Sequence, residues 1–439
     1  MPIDPVKLVW ATPPTRDISQ VMAQLNFGNS SSLLSGLGAA TLNQFANTQA
    51  NFQQSVVSNP NPAAMGLIDA TDATDNAALL KDAQNVQNNV GLTIHTASGK
   101  EVDISITFGG NSSVEDSLSI NVQTLGKLSA AEQAAVAKLS KGFASALQGI
   151  TSVPPQVDVS GLVNFDPTVL SSVDLKVREP QSTNLTSLQS LDFHADAGSR
   201  SFAMQGATGN VSVSVDLSKP ALWGSKAQQQ TALLGYLKQF DAANARAQGG
   251  ATLLGQFNDA FSELNSSYPA SGQQPAQALP ASALNTKDVS VLSGLADFQA
   301  SMSGTSFNGS AAEPTTETGQ IAYQVSQQTA ISGSAKSTGL SVAQTQSATL
   351  VASIEQSRAG AVLDTTNGNY DLYRINDSTS TTTSFAYADS KLQSAAIVNQ
   401  VNQSEVYQKL VDHKVVEQTT TPCNKFTIQD ISALLRPAA

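Results

Sequence analysis

The chain has 439 residues, enough to bury a substantial core and too many for a small disulfide-stapled scaffold. Only 13% of residues are charged and 5% aromatic, against 40% hydrophobic, so small and uncharged polar residues fill the deficit, and the net charge is -11. With four basic side chains in residues 1–126 (Lys7, Arg16, Lys81 and Lys100), one Cys and three His, the composition excludes a phosphate-backbone binder, an internal disulfide, a thiolate cluster and a His-rich metal centre.

The stretch from Met1 to Trp10 carries Asp4 and two prolines where a secretory signal has a basic region and an apolar run. No stretch approaches the roughly 20 apolar residues of a membrane-spanning helix. Neither a Sec-type signal nor a membrane span is expected. Residues 1–90 predict a helical, partly irregular segment, with Leu33, Leu34, Leu37, Leu42, Phe45 and Phe52 at helix-like spacing. Pro60 and Pro62 break that pattern, and Asp75 is placed to cap a helix through Asn76 to Asn88. Asp69, Asp72 and Asp75 recur at every third position, but they lack the Gly and closing Glu of a calcium loop and read as caps and turn residues.

From Gly91 the period turns from helical to alternating. Leu92 and Ile94, then Val102, Ile104, Ile106 and Phe108, then Leu118, Ile120 and Val122 predict three half-buried strands. Ala97-Ser98-Gly99 fits a hairpin loop with a left-handed Gly, pairing Ile94 with Val102 and Leu92 with Ile104. Ser129 to Glu132 has the form of a capping box for a helix whose buried stripe is Val136, Leu139, Phe143 and Leu147, ending at Gly149. Residues 91–153 thus form a first hairpin, strand and helix module. The order recurs in residues 156–268: a hairpin around His194, the alternating run Val211, Val213, Val215 and Leu217, a helix with Leu233, Leu237 and Phe240, and a further helix with Leu254, Phe257, Phe261 and Leu264. His95 and His194 occupy the same slot, about 99 residues apart.

Residues 269–319, rich in Pro, Ser, Gly, Ala and Gln, predict an exposed linker around the apolar patch Val289 to Phe298. Residues 320–439 predict a β-rich region, with Ile321, Tyr323 and Val325 alternating, Leu372 alternating with Arg374 outside, and Phe385 alternating with Tyr387. Asn367-Gly368 predicts a hairpin turn, and the Thr379 to Thr383 run predicts β-branched edge material able to pair with another chain. The fold class expected is α+β, with antiparallel β-sheets, segregated helices and a β-rich carboxy-terminal region.

Residues that carry chemistry are few. The hairpin register sets His95 opposite Glu101 on the polar face. Packing of the two modules about a pseudo-twofold axis would bring His95 and His194 together with Glu101 or Asp196 as metal ligands. The plainer reading leaves both histidines as exposed strand residues, because no second ligand pair stands at motif spacing. It assigns no metal, no cofactor and no catalytic residue. No Ser lies in a Gly-x-Ser-x-Gly elbow, His413 sits in a charged, solvated stretch, and Cys423 reads as a surface or half-buried thiol. Asp364 to Asp371 surrounds a turn with acids and amides and reads as a loop rather than a calcium site.

The stretch from Gly91 to about Leu175, with its hairpin, Leu118-Ser119-Ile120-Asn121-Val122, the capped helix from Ser129, and Asn164-Phe165-Asp166-Pro167-Thr168-Val169-Leu170, resembles a recurring arrangement in uncharacterised proteobacterial proteins. It covers about a fifth of the chain, and the resemblance implies a bacterial origin without implying a mechanism. The Cys-poor, low-Lys composition, rich in Ser, Thr, Asn, Gln and Ala, is similar to that of bacterial surface filaments, adhesins and virion proteins. The function expected is a non-catalytic structural or adhesive protein, exported or surface- or virion-associated by a signal-independent route. It is expected to assemble with copies of itself through strand edges or to bind a surface partner, without nucleic acid. An intracellular, cytoplasmic binding or regulatory module is the alternative, and an enzyme whose site is built from residues distant in sequence is the third reading.

Overall fold

The computed structural model describes residues 8–10, 16–23, 34, 36–58, 88–109, 116–178, 188–269, 284–310, 313–358 and 361–435. Of these, 25% are helical and 52% are in strands, so the fold is mixed but mostly β, and the α+β expectation is corrected toward β. No helix among the described residues is long and apolar enough to cross a membrane. The described residues divide into two compact units, one running to Ala207 together with Pro269, and one comprising the other residues from Thr208.

The first unit contains β1 (Leu8–Trp10), α1 (Arg16–Ala23), α2 (Leu37–Thr48), β2 (Phe52–Ser58), β3 (Asn88–Thr96), β4 (Glu101–Gly109), β5 (Asp116–Leu125), α3 (Ala130–Lys138), α4 (Ser140–Thr151), β6 (Leu170–Arg178), β7 (Leu188–Asp196) and β8 (Ser199–Gly206). Its strands run antiparallel in the order β1-β2-β5-β4-β3-β6-β7-β8. Alternation sends Leu92, Ile104, Val122, Leu175 and Phe193 to one face, where all are buried. A sheet face this apolar needs a cover, and Phe45, Phe143 and Leu147, wholly buried on α2 and α4, belong to the same core. Ser129 accepts from the Glu132 N–H and Glu132 accepts from the Ser129 N–H (2.6 Å), the capping box expected. Glu132 also receives Lys100 Nζ (2.8 Å) and Ser98 Oγ (2.5 Å), which fastens the helix start to the β3–β4 hairpin. A Cβ on Gly142 would lie 2.5 Å from the Gly161 backbone, so α4 and the following loop meet where only glycine fits.

The second unit contains β9 (Gly209–Asp216), α5 (Lys226–Arg246), α6 (Ala251–Leu264), α7 (Thr286–Ser290), β10 (Asp297–Ser310), β11 (Glu313–Ala335), β12 (Gly339–Gln356), β13 (Asp371–Ala388), β14 (Lys391–Val411), β15 (Lys414–Asp430) and α8 (Ser432–Leu435). The strand order follows the chain from β9 to β15, each pair antiparallel. Phe240 of α5 packs with its ring centroid 4.8 Å from that of Phe257, tilted, and 5.0 Å from that of Phe261, edge-to-face, both of α6. Tyr236 meets Phe298 of β10 edge-on at 4.9 Å, so the two helices and the inner sheet face share one aromatic core. Its buried charges are paired: Asp297 accepts from Lys219 Nζ, the Thr329 N–H and the Thr329 hydroxyl at 2.7–2.9 Å. Arg246, at the end of α5, reaches Asp377 on β13 (2.5 Å) and Glu405 on β14 (3.4 Å). Near α7, Lys336 pairs with the fully buried Asp288, which also accepts from the Tyr387 hydroxyl (2.6 Å).

Several expectations change. Residues 1–90 hold β1 and β2 beside their helices, and β3 begins at Asn88; the helix expected at 76–88 otherwise falls outside the described residues, as do Asp69, Asp72 and Asp75. The helix after Ser129 divides at Leu139 into α3 and α4. Within the expected linker, residues 297–310 form β10 and β11 starts at Glu313. Small residues hide that alternation, since Ala300 and Met302 point inward while Gln299 and Ser301 point outward. The Thr379 to Thr383 run lies inside the sheet, hydrogen-bonded to β12 and β14, and β15 is the edge instead. Asn367-Gly368 does turn, with Asp364 bridging to Asn369 and Gly368 at φ 68°, but outside the named strands.

Candidate functional site

The β3–β4 hairpin has the register read from the sequence, Ile94 opposite Val102 and His95 opposite Glu101, with Gly99 at φ 81°. Burial of the alternate residues sends the polar set to the outer face of the first unit. Two neighbouring rows there carry both histidines, and further rows hold Lys176, Asp192 and Arg178. One row runs Glu101, His95, Ser172, Asp196, and the next runs Asp103, Thr93, Asp174, His194, Ser201.

His95 Nδ1 lies 3.7 Å from Glu101. His194 Nδ1 lies 2.7 Å from Asp174 and Nε2 lies 3.3 Å from Asp196. Burial lowers the proton affinity of the His194 ring, and the Asp174 and Asp196 carboxylates outweigh it, so its pKa is raised above the ordinary value. Asp196 also accepts from the Gly198 and Ser199 N–H groups at 2.7 and 2.6 Å, which fixes its carboxylate in the β7–β8 turn.

The two histidines therefore share a face, but β6 runs between their strands, roughly 10 Å of sheet, and no pseudo-twofold axis brings their rings together. Each pairs with its own carboxylates. Both nitrogens of His194 are engaged on opposite sides of the ring, which leaves no single point where that ring and both acids could meet an ion. Among the described residues no group of three or more His, Cys, Asp or Glu is arranged to hold a metal. Asp174, His194 and Ser201 sit side by side on three strands, the residue types of a nucleophilic triad. Yet Nε2 faces Asp196 rather than a hydroxyl, and the row lies on an open sheet face. Sequence reasoning missed Asp174 because its strand lies far along the chain from β3, and only the pairing of β6 with β7 sets it beside His194.

The remaining candidates lie in the second unit. His413 occupies the β14–β15 turn at φ 59°, with Nε2 3.1 Å from the Thr366 carbonyl. Cys423 is a half-buried free thiol on β15. The outer face of β9 to β12 forms a concavity of about 330 Å³, lined by uncharged side chains such as Ser212, Gln299, Ser301, Gln324, Ser347 and Thr349.

The feature with most exposed bonding capacity is β15. It is 17 residues long, pairs among the described residues with β14 alone, and is exposed at every position but Cys423. Its outer edge offers unpaired backbone N–H and C=O groups. Phe426 and Ile428 stand 64% and 66% exposed on one face of it and Val416, at a bulge, is 59% exposed, while Pro422 and two lysines, Lys414 and Lys425, interrupt it. Comparisons of the chain with protein-family models, with curated proteins and with solved structures give no match.

Proposed function

We propose that this is a non-catalytic structural or adhesive protein that assembles with copies of itself through a sheet edge and works at a cell or virion surface. The observation that carries this reading is β15, a 17-residue edge strand exposed on both faces and bearing large apolar side chains. A monomer that keeps such an edge bare gains nothing from it and risks aggregation. A protein that builds an assembly uses it as the joint. Pro422, Lys414 and Lys425 make indiscriminate pairing poor, which favours a partner whose chemistry matches theirs. The outer face of β9 to β12 supports a structural role, since it exposes Ser, Thr and Gln without a concentrated charge.

Velocity sedimentation of the native protein, taken separately from the cytosolic, surface and medium fractions of its source cells, tests the proposal. The expected result is a species larger than one chain in the surface or medium fraction, free of lysis markers. A single chain confined to the cytosol contradicts it.

A further inference from the structure

Resting on the assembly reading above, the geometry points to one occupant for the β15 edge: β15 of a second copy, antiparallel, with Thr421 against Thr421 on a twofold axis. The motive is that the strand is complementary to itself in that register. Laid against its own copy, it sets Glu417 opposite Lys425, the last pair before the bulge at Val416. The twofold repeats the contact, giving two ion pairs on one face. Both side chains are exposed in the single chain, with Lys409 of β14 standing opposite Glu417 on its inner side.

Neighbouring registers lose the match. Moving the axis to Pro422 sets Glu417 against Thr427 and Lys425 against Thr419, abuts the two prolines, and has as its charge match only Lys414 against Asp430, beyond the bulge at Val416. Moving it to Thr420 sets Glu417 against Cys423 and Lys425 against Val415. Pro422 has no N–H to give, so the new ladder breaks beside the axis and runs as two arms, each carrying one Glu–Lys pair. The break limits pairing with an arbitrary strand, which would have to tolerate the same gap without the charge match.

Light scattering over a dilution series of the full chain carries the test. Glu417→Lys and Lys425→Glu each place like charges in opposition at two points, and each is expected to weaken the dimer by roughly tenfold. The double variant restores opposite charges and is expected to recover the original dissociation constant to within about threefold. A dimer indifferent to both single changes, or a double variant at least as weak as either single one, overturns this register while the assembly reading stands. A chain that stays monomeric at every concentration overturns both. In a second measurement, Thr421→Cys combined with Cys423→Ser is expected to give a covalent dimer on mild oxidation, because the residue on the axis faces itself. A dimer that forms without that cross-link overturns the register.

Discussion

Both compact units pack helices on one face of an antiparallel sheet, but they differ in how far the strands outrun the helices. In the first unit β2 to β8 have 7 to 10 residues, so each reaches roughly 23–34 Å. α4 alone, with 12 residues, spans about 18 Å, and the apolar face is closed. In the second unit β11 has 23 residues, roughly 75 Å, while the longest helix, α5, has 21, about 32 Å. Helices of that length cannot cover strands of this one. The aromatic core gathers where α5 and α6 lie, a second cluster joins Leu340, Val342, Phe385 and Tyr387 to Ile431 and Leu435 after β15, Arg246 marks the reach of α5 toward β13 and β14, and β15 itself pairs among the described residues with β14 alone. The contrast locates stability and function in different places: apolar burial holds the rows under the helices, and the uncovered edge is free to bond elsewhere.

The largest effect that sharpens this contrast comes from the aromatic core. Phe240→Ala removes a wholly buried ring and is expected to cost about 3–5 kcal/mol in denaturant unfolding. Phe426→Ala, at a position 64% exposed, is expected to stay within about 0.5 kcal/mol in the monomer. A comparable cost at both sites would break the division between core and edge.

Glu132 comes next. Its buried carboxylate accepts from Lys100, Ser98 and the Ser129 N–H, so Glu132→Ala is expected to cost about 2 kcal/mol and to loosen the first unit. Hydrogen bonds from Lys100 and Ser98 hold its pKa well below the usual carboxylate range. The associated stability is present above the unfolded value of 4.5 and is lost as pH falls toward the folded one. Urea midpoints measured at descending pH check this, and Glu132→Gln should flatten the acid limb.

The smallest effect is at His194. Its pKa is raised, so its contribution is complete below the unfolded value of 6.5 and is lost as pH rises through the folded one. The ring is about one-third exposed, and solvent screening keeps the term small. Thermal midpoints between pH 5 and pH 9 should fall slightly with rising pH in the original chain, and His194→Gln should remove that slope. An unchanged slope would mean that the Asp174–His194–Asp196 chain adds nothing to the first unit.

The β3–β4 hairpin was legible from sequence because a loop with a left-handed Gly and strict alternation on both sides fix one register. The capping box of α3 was legible because its partners lie three residues apart. Asp174 was not, since a neighbour across β6 and β7 depends on which strands pair rather than on spacing. β10 hid within a Ser-, Gly- and Ala-rich stretch whose inward residues are partly as small as Ala300. β15 escaped for the opposite reason: with both faces exposed, it has no apolar alternation to betray an edge, and the Thr-rich run of β13 mimicked one.

Hydrogen exchange of the β15 amides at low and high protein concentration tests the central claim most directly, because only a partner strand can protect an outer edge. The account predicts that exchange in β15 slows as concentration rises while the amides of α5 and α6 are unchanged. Exchange in β15 that is fast and independent of concentration would contradict it.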